Sequence, residues 1–241
     1  DRPVFVGGEI DEDDFGAVYV ASNTSDGYSY NLSASVAKRF DFGLNASLSY
    51  SYNDAEAVSE GTSSQNSSQW RGQVHIDSRN SPVLGRADFA VGHRILGAFD
   101  YTINWNDNIG TQIALIYEGQ SGAPFSYVIG GGGARNIANQ RGSTTRNRSL
   151  VYVPTDINDI NLVDLPLNDG TVVTAAEQWE NLNQLIEDDP GLSGRRGQYA
   201  EKNGSRSPWV NIFDLAIRQD IGADLGGNLH KIQLSLDIFN V

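Results

Sequence analysis

The sequence predicts an all-β protein: an antiparallel up-and-down transmembrane β-barrel segment of about seven strands, with long extracellular loops and one short loop helix. Three observations predict it. Two adjacent stretches, 28–40 and 42–52, alternate apolar and small polar residues over more than ten positions each. Strands of soluble proteins usually run about 5–6 residues, whereas a strand crossing a bilayer needs about 9–11. Short and long connections alternate along the chain, as they do when turns close one end of a barrel and loops decorate the other. Aromatic residues cluster at the strand ends, where belts meet a membrane interface.

The strands follow in order. The first is expected at about 15–22. The second carries Tyr28, Tyr30, Leu32, Ala34, Val36, Lys38 and Phe40 on even positions, against Ser29, Asn31, Ser33, Ser35, Ala37 and Arg39. The third carries Phe42, Leu44, Ala46, Leu48, Tyr50 and Tyr52 against Asn45, Ser47, Ser49 and Ser51. Period-two alternation gives one apolar and one polar face. The fourth, about 86–105, has Phe89, Val91, Ile95, Phe99, Tyr101, Ile103 and Trp105 on one parity, interrupted by His93 and Gly97. The fifth, about 110–128, sets Ile113, Leu115 and Tyr117 against Gln112 and Glu118. The sixth, about 209–221, and the seventh, from about residue 229, alternate likewise.

Turns rich in Gly, Asn and Asp join strands two to three, four to five and six to seven, at Asp41, 106–109 and 222–228. The connections 53–85 and 129–208 exceed ordinary loop lengths, while 23–27, in the same set, is short. In a barrel the short turns are periplasmic and the long loops external. This orientation puts Phe40, Phe42 and Trp105 in one interfacial belt and Tyr28, Tyr30, Tyr50, Tyr52 and Trp209 in the other. Within the 129–208 loop, Thr174 and Glu177 match a capping box. Trp179, Leu182 and Ile186 recur at helical spacing, and Asp189-Pro190-Gly191 stops the pattern. These predict a helix over 175–188 whose apolar stripe packs the loop.

The net charge of −13 argues against a nucleic-acid partner. No apolar run of about 18 residues is present, so no transmembrane helix is expected. Mean hydropathy is −0.37, which a barrel also shows, because only every second residue faces lipid. The chain has no Cys, so disulfides and thiolate chemistry are excluded. Acid clusters at Asp11, Glu12, Asp13 and Asp14, and 149–194 contains no Lys or Arg. The plain reading is a solvated loop. The sharper one is a loop-bound Ca²⁺ held by carboxylates and carbonyls, without EF-hand spacing. No other cofactor is indicated. His75, His93 and His230 are scattered, Gly119-Gln120-Ser121-Gly122 is no nucleophile elbow, and 130–133 lacks the Gly-Lys-Ser/Thr of a phosphate loop. The reading is therefore not an enzyme, with no catalytic residue. The opening Asp1-Arg2-Pro3 and the closing strand pattern through Val241 suggest a piece of a larger protein.

Segments along the chain resemble a known family. Asn23–Leu32, Gly92-His93-Arg94-Ile95, Tyr117–Ser126 and Leu150-Val151-Tyr152-Val153-Pro154 do so in order, followed by Arg206-Ser207-Pro208-Trp209 and Leu236–Val241. Together they resemble the barrel of Oar-like TonB-dependent outer-membrane receptors of Bacteroidetes-type envelopes. The resemblance implies a roughly 22-stranded barrel around a plug, of which residues 1–241 would supply part of the C-terminal barrel, without plug or N-terminal domains. It implies energised uptake of an unidentified extracellular ligand, outer-membrane lipid as the surroundings, and a TonB complex acting through the missing N-terminal part. Recognition concentrates in loops, so Tyr152, Trp179, Arg195, Arg196 and Tyr199 are the candidate substrate contacts. The alternatives are a non-transporting adhesin or porin-like barrel, a soluble β-rich carbohydrate-binding module, and a barrel enzyme. Seven strands cannot close such a barrel, so an open sheet is expected.

Overall fold

The computed structural model describes residues 18–61, 63–129 and 148–241. Its elements in chain order are β1 (Tyr28–Arg39), β2 (Leu44–Ala57), α1 (Asn66–Arg71), β3 (Gly85–Arg86), β4 (Gly92–Asn106), β5 (Ile109–Gln120) and β6 (Pro124–Phe125). Then come β7 (Tyr152–Val153), β8 (Leu165–Pro166), β9 (Val172–Val173), α2 (Ala175–Asp188), α3 (Pro190–Ser193), β10 (Gln198–Tyr199), β11 (Ser205–Arg206), β12 (Val210–Leu225) and β13 (Asn228–Ile238). The chain divides into two compact units. A sheet unit comprises Ser29–Asp54, Val91–Ala123 and Ser207–Val241, and a loop unit comprises Asp1–Tyr28, Ala55–Ala90 and Pro124–Arg206.

In the sheet unit the long strands neighbour one another in the order β1-β2-β4-β5-β12-β13. The registered pairs from β2 to β13 are all antiparallel. β1 and β13 end the order and do not pair with each other, so the sheet is open. Residues directly opposite across an antiparallel pair share a face. Ala46, Phe99, Leu115, Leu215 and Ile238 are successive partners across β2, β4, β5, β12 and β13. So are Leu44, Tyr101, Ile113, Ile217 and Leu236. The opposite face reads Asn45, Asp100, Ala114, Ala216 and Asp237 across the same strands. The alternation in each strand is therefore in phase with its neighbours, and it builds one continuous apolar face and one polar face.

Nothing among the described residues covers the apolar face. Leu32 is 64% exposed, Val36 65% and Leu236 55%. Every buried apolar residue, from Val74 and Ala87 to Ile186 and Ala200, belongs to the loop unit. In the sheet unit only glycines (Gly92, Gly97, Gly119 and Gly122) are buried. Burying a Leu or Ile side chain is worth about 1.5–3 kcal/mol. The strands forgo that gain, while the loops form the water-excluding core.

Several sequence expectations are corrected. The first strand, about 15–22, is not a strand at Val18–Ser22; residues 15–17 lie outside the described residues. The acidic run at 11–14 and the glycines at 130–133 lie outside them too. The fourth strand begins at Gly92, not residue 86. Gly85–Arg86 is a separate short strand on the last residues of β2, and Gly92 turns the chain at φ +83°. The fifth strand stops at Gln120. A Cβ on Gly122 would sit 2.0 Å from the Ser207 carbonyl oxygen, and Pro124 brings no N–H to a continuing ladder. Between β1 and β2 the turn spans Phe40 to Gly43, closed by Phe40 N–H to Leu44 O at 2.8 Å, rather than Asp41 alone. The last hairpin is tighter than expected. β12 runs to Leu225, opposite Asn228, leaving only Gly226 and Gly227, at φ +67° and +86°, as the turn. Two positive φ angles are what a two-residue hairpin requires.

Candidate functional site: the loop unit and its cleft

The loop unit folds around Val153, Ile186, Leu192 and Ala200, with Tyr127, Val151 and Leu182 packed against them. α2 starts where the sequence puts it. Thr174 Oγ1 accepts from Glu177 N at 3.2 Å, and Glu177 Oε2 accepts from Thr174 N at 2.8 Å. This reciprocal pairing satisfies amides that the first helical turn leaves open. Leu182 and Ile186 turn into the core, so the stripe of α2 packs the loop, as expected. Asp189 ends α2 and starts α3. Its Oδ1 accepts from Gly191 N at 2.7 Å and Ser205 Oγ at 2.8 Å, while Oδ2 accepts from the Tyr127 hydroxyl at 2.9 Å.

Four of the five candidate contact residues come together. Tyr152 and Tyr199 face each other on paired strands β7 and β10, their rings 5.5 Å apart and edge-on. Arg195 Nε donates to Tyr199 O at 3.1 Å, and its guanidinium pairs with Glu201 at 3.2 Å. Arg196 donates to Pro154 O at 3.2 Å and to Asn183 Oδ1 at 2.7 Å. Both arginines thus bind the loop to itself. Trp179 is half-buried on α2.

Carboxylates fix the turns of this unit. The Thr155 backbone N–H, then the Tyr152 and Thr155 hydroxyls, hold the Asp159 carboxyl below its ordinary range, and Asp159 in turn pushes the Tyr152 phenol up. The Thr174 backbone N–H and hydroxyl do the same for Glu177. A carboxyl depressed in the folded state stabilises it fully above the unfolded pKa, about 3.9 for Asp and 4.3 for Glu. That contribution is lost as pH falls through the depressed values. Amide hydrogen exchange at Thr155 and Thr174 is therefore expected to be slow at neutral pH and to accelerate, relative to the Ile186 core, as the medium is acidified below about pH 4. Equal protection of these amides at pH 6 and pH 2.5 would contradict the assignment.

A second feature was not legible in the sequence. The loop unit contains a cleft of about 460 Å³ whose lining includes Ser59, Glu60, Gln69, Gln73, Arg148 and Lys202. α1, which forms one side, carries no apolar period and no side-chain cap, so no helix signal marks it. Lys202 is 3% exposed and Glu60 11%; they pair at 2.9 Å, and Lys202 Nζ also donates to the carbonyls of Ala57 at 2.8 Å and Val58 at 3.3 Å. The neighbouring Asn203, at φ +54°, donates to Arg86 O at 2.8 Å and Asp88 Oδ1 at 2.7 Å. Behind the cleft, His75 and Ser149 are 1% and 2% exposed. Ser149 Oγ lies 3.1 Å from His75 Nε2, and His75 Nδ1 lies 2.9 Å from Gln73 O. Nothing in the sequence marks this pair, whose members are 74 positions apart. The backbone joins the same segments: His75 N donates to Arg148 O at 3.2 Å and Leu150 N to His75 O at 2.9 Å.

Comparison with protein-family models, curated proteins and solved structures finds no match. Among the described residues, no three His, Cys, Asp or Glu side chains gather as a metal site, and no helix is long and apolar enough to cross a membrane.

The expected belt aromatics sit at the two ends of the sheet's apolar face. At one end Tyr30 and Tyr52 have ring centres 5.9 Å apart, Tyr52 lies 4.8 Å from His93, and the Tyr50 hydroxyl is 2.7 Å from His93 Nδ1. Trp209 lies against Gly119 at this end and donates to Asn211 Oδ1 at 3.0 Å. Tyr28, at the start of β1, is exposed. At the other end Phe40 and Phe42 are 5.2 Å apart, Phe42 and Tyr101 6.4 Å, and Trp105 donates to Thr111 Oγ1 at 2.8 Å.

Proposed function

We propose that the sheet unit is a lipid-facing wall of an outer-membrane barrel, and that the chain serves a TonB-dependent receptor or transporter of a Gram-negative, Bacteroidetes-like envelope. The observation that carries the wall is the continuous apolar face with no buried side chain behind it. A sheet in water needs a second layer to hide such a face, and hydrocarbon substitutes for that layer. The dimensions support the reading. Ile95 and Trp105 are ten residues apart on β4, about 34 Å of extended chain. At a tilt of about 45° this spans roughly 24 Å, the height of an outer-membrane apolar band.

The short turns after β1, β4 and β12 and the long excursions after β2 and β5 fit the periplasmic and external ends of such a wall. The transporter reading rests on the family resemblance. TonB, reached through a part of the receptor outside this chain, would supply the energy, and the loop unit would meet the extracellular ligand. A non-transporting adhesin or porin-like barrel shares the wall but not the TonB partner.

The wall is tested by removing detergent. The purified chain is expected to be monodisperse in lauryldimethylamine oxide and to precipitate or bind vesicles on dilution below the micellar concentration. A chain that stays monodisperse and does not float with vesicles in a density gradient would refute the wall and favour a soluble module.

A further inference from the structure

We propose that the cleft of the loop unit binds a short neutral oligosaccharide. The inference concerns the loop unit alone and stands whether or not the sheet crosses a bilayer. The cleft, about 460 Å³, falls within the roughly 300–1,000 Å³ of small-molecule sites. Its lining includes uncharged groups that both donate and accept: the hydroxyls of Ser59, Ser63 and Ser68 and the carboxamides of Gln69 and Gln73. A sugar hydroxyl does both as well, so such a lining pairs with it without stranding a charge.

The wall is already organised. Gln73 Nε2 donates to Ser59 Oγ at 3.0 Å, Gln69 Nε2 donates to Ser63 O, and the Ser68 hydroxyl accepts from Arg71 at 2.9 Å. Each glutamine thus uses one amide N–H within the chain, which anchors its carboxamide in the lining. The parallel bridge between His75 and Ser149 joins the segments that carry Gln73 and Arg148. This preorganisation lowers the ordering cost of binding.

Charge argues for a neutral ligand. The Lys202 ammonium is held by two carbonyls and Glu60, and Asp88 accepts from Asn203. An anion entering the cleft would meet two carboxylates, Glu60 and Asp88, against Arg148 as the second cation of the lining beside Lys202.

The test uses the full chain in lauryldimethylamine oxide, a detergent without a sugar headgroup, and isothermal titration calorimetry. The probes are maltotriose, cellotriose, isomaltotriose and mannotriose, with triglycine and citrate as controls. At least one trisaccharide is expected to bind saturably in the millimolar range or tighter, and neither control to compete with it. Gln73→Leu, with an unchanged circular dichroism spectrum, is expected to weaken binding about fivefold to tenfold, the loss of one or two neutral hydrogen bonds. Gln69→Leu offers the same readout if Gln73→Leu does not fold. The inference is overturned if no trisaccharide binds saturably, if citrate binds more tightly than every sugar, or if the folded variants bind like the parent.

Discussion

Leu115→Arg is expected to lower the stability of the sheet by about 2–4 kcal/mol in a bilayer or micelle, the cost of a cation near the middle of an outer-membrane apolar band. Leu115 lies mid-strand on β5, opposite Phe99 on one side and Leu215 on the other, all on the apolar face. The control is one residue away. Ile116 faces the polar side, opposite Ala98 and Asp214, and Ile116→Arg is expected to stay within about 0.5 kcal/mol of the parent, as surface changes usually do. Guanidinium titrations of both variants in the same vesicles measure the difference. Equal effects would mean that the two faces see the same surroundings, and the lipid assignment would fall.

Lys202→Met is expected to destabilise the loop unit by about 3–5 kcal/mol, the usual cost of removing one partner from a buried ion pair. The substitution strands the Glu60 carboxylate, which is 11% exposed, and takes the donor from the carbonyls of Ala57 and Val58. Adding Glu60→Leu is expected to recover part of the loss, because two apolar side chains leave no uncompensated charge. Thermal unfolding followed by protease susceptibility within 55–90 and 124–206 reads out this unit. A single variant as stable as the parent would mean that Lys202 does not close this part of the fold.

The strands were legible because their information is local. From Tyr28 onward, alternation fixes which side chains share a face, and the register then brings those faces into phase without shifting them. α2 was legible for the same reason, since its cap and its stripe lie within fifteen consecutive residues, Thr174 to Asp188. Strand ends were less so. Gly92, Gly122 and the Gly226-Gly227 pair decide them by φ angle or close backbone approach, which alternation does not encode. The cleft was not legible at all. Glu60 meets Lys202 across 142 positions and Ser149 meets His75 across 74, and nothing periodic marks either pair. The loop residues singled out for their chemistry, Arg195 and Arg196, turn out to tie the loop to itself.

The outer rim of β13 has a consequence for the life of the polypeptide. Asn228–Ile238 ends the strand order, with Ile232, Leu234, Leu236 and Ile238 on one side of it. An apolar strand with an open row of amides is a template for cross-β stacking. Kept in water, such a ribbon is expected to stack on further copies of itself.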